Sequence, residues 1–310
     1  MDRNHDLCIT AIRRFTKGRE DMKNRLKLLV SLTLSVVLVA TLSLLWGCGA
    51  SGQSGSDTKT GDKNDNTKTT VLKVGASPAP HAEILDSIKE ALAQEGIELQ
   101  IIEYSDYVLP NTALQDGDID ANYFQHKPYL DDFNAEHKSA LVSVAAIHFE
   151  PLAIYAGKSA SISTLPDGAK IAVPNDTTNE ARALLLLQDQ GLITLPADAD
   201  LSVTPRDIVD NPKNLEFLEV EAAALPRELE EVDLAVINGN FALAADLPTS
   251  LILATEDPDS LAATTYANCL VVKEGNEDAA AIKALIEALT SQQTRDFINE
   301  RYQGVVVPVF

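Results

Sequence analysis

Cysteine is almost missing from this chain, with three in 310 residues, Cys8, Cys48 and Cys269. So few thiols exclude a disulfide framework, and the fold must stand on its hydrophobic core. Positive charge is scarce as well: 25 Lys and Arg against 46 Asp and Glu leave a net charge of −21. Residues 1–47 hold eight of the basic residues and four of the acidic ones, so the remainder is more acidic still. That balance repels nucleic acid and anionic headgroups, and no nucleic-acid partner is expected. The signatures of catalysis are absent too: no Gly-rich phosphate loop, no His-Glu-x-x-His helix and no Gly-x-Ser-x-Gly elbow. His81, His126, His137 and His148 are not spaced as a metal cluster. Asp116, Asp118 and Asp120 alternate, but their loop lacks the Gly and terminal Glu of a calcium loop, so a solvated turn is expected there. These residues suggest no enzyme reaction, cofactor or metal.

What the chain does have is one long apolar run, Leu28–Trp46, preceded by Lys23, Arg25 and Lys27 and followed by Gly47 and Cys48. A positive region, an apolar stretch and a small residue before a cysteine read as an export signal over residues 1–47 that ends in a lipidated cysteine. Leu45-Trp46-Gly47-Cys48 resembles a bacterial lipoprotein box, with Trp46 where a smaller side chain is usual. The alternative is an uncleaved spanning helix, for which the run is nearly long enough. Either way the globular part lies on the exported face of the cell membrane. Residues 48–70 are Gly, Ser, Thr, Asp, Lys and Asn with almost no apolar side chain, and they read as a disordered tether.

From Val71 the pattern changes to short apolar runs alternating with helical periodicity. Strands are expected at Val71–Ala76, Ile97–Glu103, Ile119–Phe124, Leu141–Phe149, Leu152–Ala156, Ala169–Val173, Leu215–Val220, Val232–Ile237 and Thr265–Val272. Helices are expected at His81–Gln94, with Ile84, Leu85, Ile88 and Leu92 on one face, and at Pro128–Glu136. Another opens at Thr177, where Glu180 three residues on suggests a capping box, and ends near Gly191. A further one carries Ile282, Leu285, Ile286 and Leu289. The alternation predicts an α/β fold with mostly parallel sheets. Cys269, inside an apolar run, reads as a buried small hydrophobe.

Three constellations could carry binding. Ala121–Leu130 is aromatic-rich and passes from a strand end into a helix, where ligand crevices of α/β sheets lie, although such aromatics are more often core. In Ala172–Arg182 a strand enters a helix so that free N–H groups, Asn179 and Arg182 can converge on an anion. Arg182 could equally pair with a neighbouring carboxylate. Asn238 and Asn268 lie at strand ends. Together these residues supply what a zwitterionic amino acid with an apolar side chain needs.

Ala76–Leu85, Asp106–Asn111, Ala121–Leu130, Ala172–Arg182, Asp210–Leu215 and Val236–Asn238 together resemble the methionine-binding lipoproteins of bacterial ABC importers, the MetQ/NlpA family. The resemblance runs over Val71–Phe310. It implies a two-lobed periplasmic-binding-protein fold of type II, with a hinge and an interlobe ligand cleft. The implied lobes are residues 71–155 with 262–310, and residues 156–261, joined by crossing segments Glu150–Ala156 and Thr265–Val272. It implies that Tyr107, Phe124, His126 and Tyr129 enclose the ligand side chain and that Arg182, helped by Asn179, holds the carboxylate. Asn238 and Asn268 then bind the ammonium and carboxylate from the other wall. The implied partners are L-methionine, a permease with its cytoplasmic ATPase, and the membrane through the lipid on Cys48. D-methionine, a methionine-containing dipeptide or another small amino acid is an alternative ligand. A surface adhesin or signalling lipoprotein is the alternative role.

Overall fold

The short apolar runs become strands of two separate sheets. The computed structural model describes residues 69–259 and 261–310, all within one compact unit. The expected export signal, the lipidated Cys48 and the tether up to Lys68 lie outside the described residues. Among the described residues no helix is long and apolar enough to cross a membrane.

The strands are β1 (Thr70–Ala76), β2 (Ile97–Glu103), β3 (Ala121–His126), β4 (Leu141–Phe149), β5 (Ala153–Ala156) and β6 (Lys170–Pro174). They continue as β7 (Glu216–Val220), β8 (Leu234–Ile237), β9 (Ile252–Thr255), β10 (Asn268–Lys273) and β11 (Val307–Pro308). One sheet has the order β11-β4-β10-β3-β1-β2 and the other β7-β6-β8-β5-β9. The expectation of mostly parallel sheets is corrected to mixed ones. β1 pairs parallel with β2 and β3, and β6 with β7 and β8, whereas β10, β11 and β5 pair antiparallel with their neighbours. Two of the reversed strands, β5 and β10, are those by which the chain enters one sheet from the other.

The crossings are short on one side and longer on the other, from Phe149 to Ala153 and from Thr255 to Asn268. Ala153, Ile154 and Tyr155, expected with the first lobe, therefore pair in the five-stranded sheet. Thr265 ends a helix rather than opening β10. The crossings are tied together where Leu152 N donates to Glu256 Oε2 at 2.9 Å and Glu256 N donates to Leu152 O at 3.0 Å.

The helices are α1 (Glu83–Ser87), α2 (Lys89–Gln94), α3 (Leu109–Asp116), α4 (Lys127–His137), α5 (Thr177–Asp189), α6 (Leu225–Glu228), α7 (Gly239–Ala244), α8 (Leu261–Thr265), α9 (Ala280–Leu289) and α10 (Gln292–Tyr302). The single helix expected over His81–Gln94 is broken at Ile88, yet Ile84, Leu85, Ile88 and Leu92 still share one buried face. They pack against Val74, Leu270 and the α9 residues Ile282, Leu285 and Leu289. The second core gathers Ile171 and Val173 of β6, Val236 of β8 and the α5 residues Leu184 and Leu187. Cys269 is buried on β10 and donates to Gln125 O, and burial pushes its thiol up to about 11, so it packs as an apolar side chain.

Candidate functional site

Every residue of β3 is buried, and the chain turns straight from His126 into α4. His126 caps that helix: its Nδ1 accepts from Tyr129 N at 3.2 Å. The cap returns Tyr129 over Phe124, ring centroids 6.1 Å apart. Tyr129 Oη in turn donates to Tyr107 O, and the Tyr107 ring lies 5.8 Å from Phe124 and 5.6 Å from Tyr129. Phe241 of α7 closes this cluster from the other sheet, 4.9 Å from Tyr107. Burial raises the Tyr107 phenol well above its ordinary range, so it stays a donor, and it gives its proton to Asn240 Oδ1 at 2.6 Å.

The opposite wall is built outward from one carboxylate. Asp176, not Thr177, is the N-cap of α5, accepting from Asn179 N at 3.1 Å. The expected Thr177–Glu180 capping box is therefore corrected by one residue. Asp176 also accepts from Asn179 Nδ2 at 2.7 Å, which turns Asn179 Oδ1 the other way, toward His126 Nε2 at 3.1 Å and Asn238 Nδ2 at 2.8 Å. An acceptor at Nε2 and a donor at Nδ1 define one neutral tautomer for His126. Burial, helped by the Arg182 charge, holds the ring neutral by lowering it to about 3. With its amide nitrogen so engaged, Asn238 presents Oδ1 as a buried acceptor without a partner among the described residues. Asn268, expected on this wall beside Asn238, instead lies on β10 paired with His126 in the six-stranded sheet; its Oδ1 faces His81 Nε2 at 3.0 Å, which leaves its N–H groups free of that bond.

Of the two roles that its sequence context left open, Arg182 is seen in one, the pairing with a carboxylate. It lines the cavity, and its Nε reaches Glu256 Oε1 at 2.8 Å while Nη2 reaches Glu256 Oε2 at 2.5 Å. Nη2 also donates to Glu150 O at 2.9 Å, so one guanidinium grips both crossings. The Tyr266 ring lies under it, 4.1 Å from Cζ to the centroid.

All eight residues singled out from the sequence, Tyr107, Phe124, His126, Tyr129, Asn179, Arg182, Asn238 and Asn268, line one cavity. Sequence reasoning missed Glu150, Gly239 and Asn240, which line it too, and Glu256 behind Arg182. Glu150 had a usable signal, a lone carboxylate between the apolar runs of β4 and β5. Glu256 had none, since its partner is 74 residues away. Gly239 is needed for close approach, because a Cβ there would lie 2.8 Å from Glu150 Oε2. His81, His148 and Glu150 each offer a ligand atom within 4.8 Å of the others, as a metal would need. Glu150 Oε1 and His148 Nε2 are already bonded to each other at 2.7 Å, so two of the three ligand atoms are committed to one another, while His81 Nδ1 has no hydrogen-bond partner among the described residues.

Residues 72–310 match the model of the NlpA lipoprotein family. The membrane lipoprotein TpN32 of Treponema pallidum is 44% identical over 237 residues, covering 76% of this chain and 87% of the relative. The D-methionine-binding lipoprotein MetQ of Salmonella typhimurium is 40% identical over 258 residues, covering 82% and 93%. Among solved structures, a nutrient binding protein from Burkholderia cenocepacia bound to methionine is 43% identical with a TM-score of 0.73, covering 77% of this chain and all of that one.

Proposed function

Because the chain belongs to the NlpA lipoprotein family, we propose that it is the substrate-binding lipoprotein of an ABC importer. In this reading it is anchored through Cys48, takes methionine outside the membrane and hands it to a permease driven by a cytoplasmic ATPase. Its role is capture and delivery, without chemistry. One observation carries the reading: residues from both sheets line a single small cavity that presents a cation, an anion and an aromatic cluster. A zwitterion with an unbranched apolar side chain uses all three. Its carboxylate meets Arg182 and the Asn268 amide N–H groups, and its ammonium meets Asn238 Oδ1 and Glu150. The thioether rests against Tyr107, Phe124 and Tyr129, a contact worth about 0.3–1.5 kcal/mol.

The hydrogen bonds Tyr107–Asn240 and His126–Asn179 join the two sheets across the cavity. A ligand touching both walls therefore binds the closed form far better than an open one and shifts the population toward it. The moving bodies are the two sheets with their helices, hinged at the two crossings.

A relative named for D-methionine supports a second reading, in which the stereocentre is read loosely. Calorimetric titration of residues 69–310 with L-methionine, D-methionine, norleucine and leucine tests both. Heat with one or both methionines and a weaker response to norleucine is expected. No binding of either methionine, or a preference for leucine, would overturn the assignment.

A further inference from the structure

Glu150 stands out once its surroundings are followed outward. It is buried, it lines the cavity, and among the described residues its carboxylate forms no ion pair with Lys or Arg. Arg182 bonds to the Glu150 main-chain oxygen and spends its fork on Glu256. What the carboxylate does have is a rear support of neutral rings. His148 Nε2 donates to Glu150 Oε1 at 2.7 Å, and His81 Nε2 lies 3.5 Å from the same oxygen. His148 Nδ1 is hydrogen-bonded to the Tyr123 hydroxyl. The three rings close on one another with centroids 4.7 Å (His81–Tyr123), 4.9 Å (His81–His148) and 5.4 Å (Tyr123–His148) apart. From the front, the Asn240 main-chain N–H also reaches the carboxylate.

A neutral imidazole has one N–H, and at His148 an ionised carboxylate takes it at Nε2. Nδ1 is then an acceptor and Tyr123 must donate to it. With Glu150 ionised, only one arrangement of protons satisfies the chain Tyr123–His148–Glu150. A carboxylate offers about four lone-pair directions. The two histidines crowd Oε1 and Asn240 takes one direction, which leaves acceptor capacity on a carboxylate that lines the cavity. The ligand ammonium is the one cation the cavity lacks for this anion.

We infer that His148, set by Tyr123, is a positioning residue that aims the Glu150 carboxylate at the ligand ammonium and so makes the site selective for amino acids over simple carboxylic acids. The inference rests on the proposed methionine site. Burial makes an isolated carboxylate harder to ionise, and a hydrogen bond to the charged form works against that. Burial holds His148 at about 3 and His81 at about 4, so both rings are neutral across the working range and the titrating group is Glu150 itself. Around it stand His81 before α1, Tyr123 on β3, His148 on β4, Tyr155 on β5, Arg182 on α5, Tyr302 on α10 and Tyr107 after β2.

The test compares methionine with 4-(methylthio)butanoate, the same molecule without its amine. The wild-type domain should prefer methionine, and Glu150→Gln should remove most of that preference. His148→Phe should cut the preference about ten-fold, as loss of a hydrogen bond to a charged group does, and weaken the amine-free ligand much less. It should also move the acid limb of methionine affinity to higher pH, because Glu150 then protonates sooner. His148→Gln, which restores an N–H donor, should recover part of both effects. Tyr123→Phe should shift them in the same direction by less, and it carries the test if His148→Phe does not fold. Equal weakening of both ligands by His148→Phe, with an unmoved acid limb, would overturn the inference and leave His148 a core residue. A wild-type domain that binds methionine no better than the amine-free acid would overturn the site reading itself, which is a separate result.

Discussion

The two walls of the cavity are held in different ways. On the side of the six-stranded sheet, Tyr107, Phe124 and Tyr129 are placed by ring packing and by one helix cap. On the side of the five-stranded sheet, Asn179, Arg182 and Asn238 are held by a chain of directed hydrogen bonds that starts at Asp176 and at Glu256. Packing is non-directional and yields gradually when a side chain changes. A hydrogen-bonded chain around buried charge fails more abruptly, since each lost partner strands another polar group. Changes on the polar wall should therefore cost the most affinity, and changes on the aromatic wall should tune it.

The sharpest way to break this contrast is Arg182→Ala. Losing one partner of a buried charged hydrogen bond costs about 2–5 kcal/mol, so methionine affinity should fall by roughly thirty-fold or more. Thermal unfolding should show a loss of stability as well, because the partly buried Glu256 loses its cation and keeps only the Leu152 N–H among the described residues. Arg182→Lys should recover only part, since an ammonium lacks the fork that grips Glu256. If Arg182→Ala binds methionine with native affinity, the carboxylate is held by other groups and the wall has been misread.

Asn238→Ala comes next. It removes both the acceptor meant for the ammonium and the bond to Asn179, and titration should show a loss of about ten-fold or more. Asn238→Asp supplies a carboxylate in place of the amide and should not restore the bond to Asn179, because both facing oxygens are acceptors. Native affinity in Asn238→Ala would remove Asn238 from the ammonium's partners.

On the aromatic wall the effects should be small. Tyr107→Phe keeps the ring and loses the bond to Asn240, so a few-fold weakening is expected, in keeping with about 0.5–1.5 kcal/mol for a neutral hydrogen bond. Phe124→Leu should narrow the preference for methionine over norleucine, because it deletes a sulfur–aromatic contact. A loss from Phe124→Leu as large as that from Arg182→Ala would reverse the proposed ranking of the walls.

The smallest expected effect is on pH. Burial first of all depresses His81 to about 4 and His126 and His148 to about 3, all below the ordinary value of 6.5. Between those limits the unfolded chain binds more protons than the folded one. The histidine contribution to stability is then complete above pH 6.5 and is lost as pH drops toward 3, against the opposite pull of Glu150 and Glu180, whose carboxyls burial pushes up. Thermal midpoints measured across that window should decline, and His126→Gln should make the decline shallower. The same pH dependence in His126→Gln as in the wild type would contradict a neutral, buried His126.

How far the sequence reached depended on how far apart in the chain the relevant groups lie. Phe124, His126 and Tyr129 fall within one strand-to-helix passage, so local pattern was enough to group them. The helix cap at Asp176 was misassigned by one residue because Asp176, Thr177 and Thr178 are all competent caps and only backbone angles choose among them. The directions of β5 and β10 were not legible either, since a buried apolar run looks the same in a parallel or an antiparallel pair.

The sequence alone determined an acidic α/β chain and grouped the candidate binding residues, because composition, apolar period and short motifs are local properties. Only the tertiary structure decided which oxygen or nitrogen each of those residues shows to the cavity. Asn268 is turned by His81 from 187 residues away, Asn238 by Asn179 from 59, and Arg182 is shared with Glu256 from 74. A buried polar atom takes whatever partner the fold brings within about 3 Å, and no local period in the sequence records that encounter.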